Sequence, residues 1–175
     1  LSLTAFAQTG DGLYGEYFNS KTLSGSVIRT RIDPEIDFDF NYDSPLTGIN
    51  SDNFSIRFTG QVQAPITGTY TFTTYSDDGV RLYINGVKVL DNWTDHAPAY
   101  NDSTPVTMVA GAKYDIRLEY FEGVLGAQLH LYWSSPGSSR DIIPTANLYS
   151  LHAPAIGVPL KGTGTGLRGE YYQNI

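Results

Sequence analysis

The stretch that decides the fold reads Tyr75-Ser76-Asp77-Asp78-Gly79-Val80-Arg81-Leu82-Tyr83-Ile84-Asn85-Gly86. Residues 69–74 precede it and alternate threonine with aromatic residues, which is the period-two pattern of a half-buried β-strand. The second half of the stretch alternates again, and its closing Asn-Gly pair predicts a type I′ hairpin turn. Two adjacent carboxylates, Asp77 and Asp78, therefore stand between two predicted strands.

The same alternation covers most of the chain between residues 55 and 133. It predicts further strands over residues 55–63, 114–120 and 127–133. The Ala110-Gly111 pair predicts a hairpin turn between residues 106–109 and the strand from residue 114. No segment keeps a helical period for more than about one turn, so we predict an all-β fold: a two-sheet antiparallel β-sandwich or barrel. Residues 45–53 and 91–105 lack a strong pattern and are predicted loops.

Composition limits the classes of function. The chain has 175 residues, a formal net charge of −7 and no cysteine. The length suits one domain with a sizeable core. The negative charge argues against nucleic acid and anionic membrane surfaces as partners and is compatible with a bound cation. The absence of cysteine excludes disulfides, thiolate metal sites and cysteine nucleophiles. No apolar run is long enough to span a bilayer, so we expect no membrane insertion.

An internal repeat predicts the domain organisation. TGDGLYGEYF at residues 9–18 recurs as TGTGLRGEYY at residues 163–172, with seven of ten positions identical. We therefore divide the chain into four parts, and expect a neighbouring repeat of the same kind as a partner within one tandem protein. The parts are a linker or signal-peptide remnant (1–8), a complete module (9–150), a Pro/Gly-spaced linker (151–166) and the first strand of a second repeat (167–175).

The adjacent acids have two interpretations at this point. Asp and Gly are favoured in turns, so Asp77-Asp78-Gly79 is compatible with a polar turn and nothing more. The alternative is a calcium site, because calcium takes six to eight oxygen ligands from carboxylates and backbone carbonyls. Neighbouring Asp side chains in a strand splay apart, so both reach one ion only if the backbone between them is distorted. Local chemistry leaves both interpretations open.

Several blocks of sequence, in register with one another, resemble a PA14 domain from about Gly12 to Leu148. The blocks are GLYGEYF (12–18), FSIRFTG (54–60), GTYTF (68–72), SDDGVRLYING (76–86), LEYFEGVLGA (118–127) and LYW (131–133). The resemblance implies a β-sandwich module of the kind found in adhesins, glycosidases, toxins and bacterial surface proteins. It also implies an extracellular or cell-surface location.

The resemblance further implies a ligand set. In lectin members of the family, a consecutive Asp-Asp pair joined by a cis peptide chelates calcium, and vicinal hydroxyls of a glycan complete the coordination. Carried over to this sequence, the metal ligands are Asp77 and Asp78, the side chain of Glu122, and the carbonyls of Val124 and Gly126. Lectin members often have Asn at the Glu122 position. Three carboxylates around one divalent ion would leave a net charge near −1.

The candidate carbohydrate-binding residues are Asp77, Asp78, Trp93, His96 and Tyr75. An indole beside a polar loop can stack on a sugar ring, and an imidazole can hydrogen-bond a hydroxyl. In the alternative interpretation Trp93 plugs the end of the sandwich and His96 pairs locally.

We predict from this a non-enzymatic, calcium-dependent carbohydrate-binding module of a secreted or surface protein, with a cell-wall or extracellular polysaccharide, or a glycan, as its partner. If the module were a glycoside hydrolase, Asp78 and Glu122 would be its carboxylate pair. However, groups that chelate an ion are held ionised and are poor general acids. Two alternatives stay open. One is a calcium-stabilised structural or protein-interaction module, and the other is an accessory module of a glycoside hydrolase or of a polysaccharide-sensing receptor.

Overall fold

A computed structural model describes residues 9–152 of the chain. The predicted segment 1–8, the linker beyond residue 152 and the predicted strand 167–175 lie outside the described residues. No helix in the described part is long and apolar enough to cross a membrane.

The described residues form an almost entirely β structure. In chain order the strands are β1 (Leu13–Phe18), β2 (Arg29–Asp33), β3 (Asp37–Asn41), β4 (Phe54–Gln63), β5 (Gly68–Asp77), β6 (Val80–Ile84), β7 (Val87–Asn92), β8 (Ala99–Asp102), β9 (Val106–Met108), β10 (Lys113–Glu122), β11 (Ala127–Ser135), β12 (Ser138–Ile142) and β13 (Leu148–Tyr149). A short 3₁₀ helix (Thr145–Asn147) precedes β13.

The strands build two antiparallel sheets. The first has the order β2-β1-β4-β10-β6-β7, with β13 pairing β4 beyond the end of β1. The second has the order β12-β11-β5-β8, with β3 also on β11 and β9 also on β5. Strand β5 belongs to the second sheet and β6 to the first. The chain therefore changes sheets at Asp78 and Gly79, and this crossing places the acid pair at one end of the sandwich.

The core lies between the two sheets and is mostly aliphatic and aromatic. The period-two pattern explains it, because alternate side chains of each strand point inward. Phe58 and Leu118 from the first sheet are fully buried, as are Phe72 and Leu129 from the second. The predicted all-β sandwich of two antiparallel sheets is confirmed.

Two local predictions are wrong. The Ala110-Gly111 turn does not close a hairpin, because β9 pairs with β5 in one sheet while β10 pairs with β4 and β6 in the other. The turn is a corner between sheets, held by the hydrogen bond from the Gly111 N–H to the Ala64 carbonyl at 2.8 Å. The predicted loop 91–105 contains β8, a strand on β5 that has no clear apolar alternation.

Candidate metal and carbohydrate site

The acid pair lies where β5 ends and β6 begins. The peptide bond between Asp77 and Asp78 is cis, the geometry that the resemblance implies. Gly79 follows and packs directly against the ring of Phe121, because a Cβ at this glycine would lie 2.1 Å from the ring. The Phe121 N–H also donates to the Gly79 carbonyl at 2.9 Å. The turn is therefore fastened to the end of β10, which carries the third candidate ligand.

Glu122 is the last residue of β10 and is fully buried. The single proton of the Tyr120 hydroxyl lies between two acceptors, the carbonyl of Asp77 and the Glu122 Oε2, which is 3.3 Å from the hydroxyl oxygen. The other oxygen, Oε1, is buried and has no hydrogen-bond partner in residues 9–152. An unpaired buried carboxylate oxygen is costly, so this oxygen is a candidate ligand atom for a cation.

Asp77, Asp78 and Glu122 form one cluster. Each offers a carboxylate oxygen, and these three oxygens all lie within 4.8 Å of one another. Two oxygens that bind the same calcium ion at about 2.3–2.6 Å can be no more than about 5 Å apart. The cluster therefore has the dimensions of a single calcium site, and its all-oxygen chemistry suits a hard cation.

Electrostatics within the cluster are unfavourable without a cation. Burial, followed by the charges of Asp78 and Asp77, raises the pKa of Glu122 to about 8. Burial, followed by the charge of Asp78, also raises the pKa of Asp77. Like charges brought together in a partly buried site oppose ionisation, and a divalent ion reverses that effect. The residues fit the calcium that the resemblance implies.

Asp78 is held by the two loops that flank it. Its Oδ1 accepts the His96 N–H at 2.7 Å, and its Oδ2 accepts the Gly123 N–H at 2.8 Å. Each carboxylate oxygen still has a lone pair for a metal ion. The Asp77 carboxylate, by contrast, has no hydrogen bond to any part of the described chain. Asp78 is thus positioned by the protein, whereas Asp77 is free to turn toward a bound ion.

The predicted carbonyl ligands lie in the loop between β10 and β11. Val124 lines the same cleft as Asp78, a cavity of about 520 Å³. Gly126 lines an adjoining cleft of about 350 Å³, which also includes Asp77. Leu125 lies between them with φ 83° and a side chain that is 71% exposed. A left-handed conformation is unusual for leucine and is typical of functional loops.

The predicted sugar-contact residues divide into two groups. His96 lines the 520 Å³ cleft with Asp77 and Asp78. Its Nδ1 lies 2.8 Å from the Ala97 carbonyl oxygen, and its Nε2 is buried without a partner in the described residues. The structure therefore brings His96 to the acid cluster.

Trp93 and Tyr75 do not line either cleft. The indole of Trp93 packs edge-on against Phe121, with ring centroids 4.8 Å apart, and the Arg81 guanidinium lies 3.9 Å from its centroid. Tyr75 lies on the outer face of the second sheet, 4.5 Å from the ring of Tyr100. Trp93 therefore supports the end of the sandwich, as the alternative interpretation describes. Tyr75 instead packs with Tyr100 on the outer face of the second sheet.

Sequence reasoning missed three residues around the site. Lys21 forms an ion pair with Asp95, and both line the 520 Å³ cleft. Asp52 accepts the Leu125 N–H at 3.2 Å and so connects the loop 45–53 to the loop between β10 and β11. Asp95 stands two residues after Trp93 in the predicted loop, which is a weak signal that could have been used. Lys21 and Asp52 have no local signal, because only the fold brings them near the acids.

Comparisons with known proteins agree with this structure. A sequence model of the PA14 domain matches residues 10–147. The anti-sigma-I factor RsgI3 of Acetivibrio thermocellus is 42% identical over 164 residues, which is 94% of this chain but only 24% of that protein. The chain therefore spans about a quarter of this relative.

Two solved structures extend the comparison. An anti-sigma factor domain-containing protein superposes with a TM-score of 0.78 at 39% identity, over 87% of this chain and 50% of that one. A PA14 sugar-binding domain from an RTX adhesin superposes with a TM-score of 0.68 at 20% identity, over 82% of this chain and 99% of that one, and this likeness concerns the fold alone. Two antiparallel sheets, an acid pair at their crossing and a family match over most of the length lead to one conclusion: the chain belongs to the PA14 domain family.

Proposed function

We propose that this module binds carbohydrate through a calcium ion held by Asp77, Asp78 and Glu122. The observation that carries the proposal is the cluster itself: one carboxylate oxygen from each of Asp77, Asp78 and Glu122 lies within 4.8 Å of the other two. Glu122 also has a buried oxygen, Oε1, without a hydrogen-bond partner in the described residues. The carbonyls of Val124 and Gly126 would add neutral ligands. Vicinal hydroxyls of a glycan would complete the shell from the 520 Å³ cleft.

The proposed binding is non-catalytic. A glycoside hydrolase would need a carboxyl group that can protonate the glycosidic oxygen. Glu122 has no exposed surface, so it cannot reach a sugar in the cleft even though its pKa is raised. Both oxygens of Asp78 already accept backbone N–H groups, so this carboxylate is held in place by the two flanking loops. The relatives at 42% and 39% identity are named as an anti-sigma factor and an anti-sigma factor domain-containing protein, and neither name describes an enzyme.

The relatives supply a setting for this binding. Two of them are anti-sigma factors or contain an anti-sigma factor domain, and this chain covers only part of each. We propose that the module serves as the carbohydrate-sensing part of such a protein, at an extracellular or cell-surface location. A neighbouring repeat would raise the avidity for a polysaccharide if both modules reach one polymer.

The test uses Asp77→Asn, which keeps the side-chain size and removes no hydrogen bond of the described chain. Calcium binding is measured by titration calorimetry, and glycan binding on an array with calcium or with EDTA. We expect wild-type protein to bind glycans only with calcium, and Asp77→Asn to lose both activities at an unchanged melting temperature. Asp141→Asn, an exposed carboxylate on β12, is the matched control and should behave as wild type.

Two results would count against the proposal. Glycan binding that persists in EDTA would show that the sugar does not need the ion. Calcium binding with no glycan bound on the array would favour the structural or protein-interaction alternative, in which calcium stabilises the loops at this end of the sandwich.

A further inference from the structure

Two clefts meet at the acid cluster. The larger, described above, contains Asp78, His96 and Lys21. The smaller is lined by residues of β3, the loop after it, and β11. Asp77 and Leu125 line both clefts. A ligand held by calcium at the acid pair therefore has a second, continuous path along the surface of the second sheet.

The floor of the smaller cleft is a polar row across three strands. Gln128 on β11 is in register with Asp77 on β5 and with Asp39 on β3. Residues in register on neighbouring strands point to the same face of a sheet. Strands lie about 4.8 Å apart, so the row extends about 10 Å away from Asp77. His130 fixes one end of it, because its Nε2 lies 3.3 Å from an oxygen of Asp39.

The outer wall of the smaller cleft is Tyr42. Its side chain is 75% exposed, and its hydroxyl has no hydrogen-bond partner in residues 9–152. A turn positions it, because the Asp43 N–H donates to the Phe40 carbonyl at 3.0 Å and Asn41 adopts φ 56°. An exposed tyrosine ring beside amide and carboxylate groups offers an apolar face next to hydrogen-bonding groups. This combination suits a sugar ring, which has apolar C–H faces and a rim of hydroxyls.

We propose that the smaller cleft is a second sugar subsite, so that the ligand is an oligosaccharide rather than a single terminal sugar. One unit coordinates the calcium ion at Asp77 and Asp78. The next unit packs on the ring of Tyr42 and hydrogen-bonds Gln128 and Asn41. This inference rests on the proposed function, because the first unit is placed by the ion.

The test compares single sugars with their oligomers on calcium-saturated protein. The probes are galactose, arabinose, xylose and mannose, each beside its disaccharide and tetrasaccharide, measured by titration calorimetry. For the sugar that binds, we expect the disaccharide to bind wild-type protein at least about tenfold more tightly than the monosaccharide. Tyr42→Ala should reduce that advantage to less than threefold and leave monosaccharide and calcium affinity unchanged, and Gln128→Ala should have a smaller effect in the same direction.

Two controls separate the subsite from general effects. Tyr42→Phe keeps the ring and should keep the disaccharide advantage. Tyr100→Ala removes another exposed tyrosine of the same sheet, outside the cleft, and should change nothing. Equal affinity for monosaccharide and disaccharide in wild type, or an unchanged advantage in Tyr42→Ala, would overturn the subsite and leave the proposed function standing. Failure of every probe to bind wild-type protein with calcium would instead overturn the proposed function and the subsite with it.

Discussion

The Gly123 N–H donates to the Asp78 Oδ2 at 2.8 Å, across 45 positions of sequence. This bond joins the crossing between the two sheets to the loop that follows β10. Asp78 also receives the His96 N–H, so one carboxylate fixes two loops around the acid cluster. The site therefore depends on close backbone approach at Gly123 as well as on the acidic side chains.

We expect Gly123→Ala to weaken calcium binding at least about tenfold. A Cβ at this position would lie 2.9 Å from the Asp78 Oδ2 and 3.1 Å from the Lys21 Nζ, so the carboxylate must move out of place. Gly126→Ala is the matched control in the same loop, because a Cβ there meets nothing within 4 Å. Calorimetry with calcium should separate the two variants, and equal affinities would contradict the role given to Gly123.

Calcium affinity should rise with pH until about pH 8. The pKa of Glu122 in the ion-free protein is about 8, so at neutral pH the ion must displace a proton. The apparent affinity should rise by up to about tenfold per pH unit below pH 8 and then level off. Glu122→Gln removes the titratable carboxyl group. This variant should bind calcium more weakly, and its affinity should depend less on pH. A wild-type profile as flat as that of Glu122→Gln would contradict this account.

The same pKa predicts how stability depends on pH without calcium. The folded-state pKa of Glu122 lies above its ordinary value of 4.5, so the fold favours the protonated form. The contribution of Glu122 to the free energy of unfolding is therefore fully present below about pH 4.5 and is lost as the pH rises toward 8. Without calcium, Glu122→Gln should melt at a higher temperature than wild type, and this difference should grow as the pH rises from about 4.5 to 8. Added calcium should remove or reverse that difference.

Replacement of Lys21 by methionine should tighten calcium binding severalfold. Its ammonium group lies beside the acid cluster, paired with Asp95, and a positive charge there repels the ion. The pairing with Asp95 keeps the effect modest. The gain should shrink at high salt, because ions screen the partly exposed charge. Weaker calcium binding by Lys21→Met would show instead that Lys21 holds Asp95 in a productive position.

Trp93→Ala should lower stability and spare the calcium site. The indole lies between Phe121 and Arg81 and is half-buried, so its loss should cost about 2 kcal/mol. Urea unfolding measures this cost, and calorimetry below the transition should give an unchanged calcium affinity. Lost glycan binding at wild-type stability would instead assign Trp93 to sugar contact.

Strand positions were largely predictable from the sequence. The alternation over residues 55–63 became β4, and the pattern around the acid pair became β5 and β6. Burial on one face of a sheet imposes this period directly on each strand. The edge strand β8 was missed because its residues Ala99–Asp102 alternate between partly buried and exposed positions with no apolar face.

The acid pair and its family were readable in the sequence by itself, because they are carried by neighbouring residues and by blocks in register. Only the tertiary structure decided whether a turn closes a hairpin or crosses between the sheets, as the Ala110-Gly111 turn shows. The packing of the two sheets also decided which distant groups meet at the acids: Glu122 joins them with an unpaired oxygen, Lys21 and Asp52 approach, and Trp93 and Tyr75 do not line the clefts. The physical reason is that local propensity acts over a few residues, whereas the meeting of strand ends depends on how all the strands pair and pack.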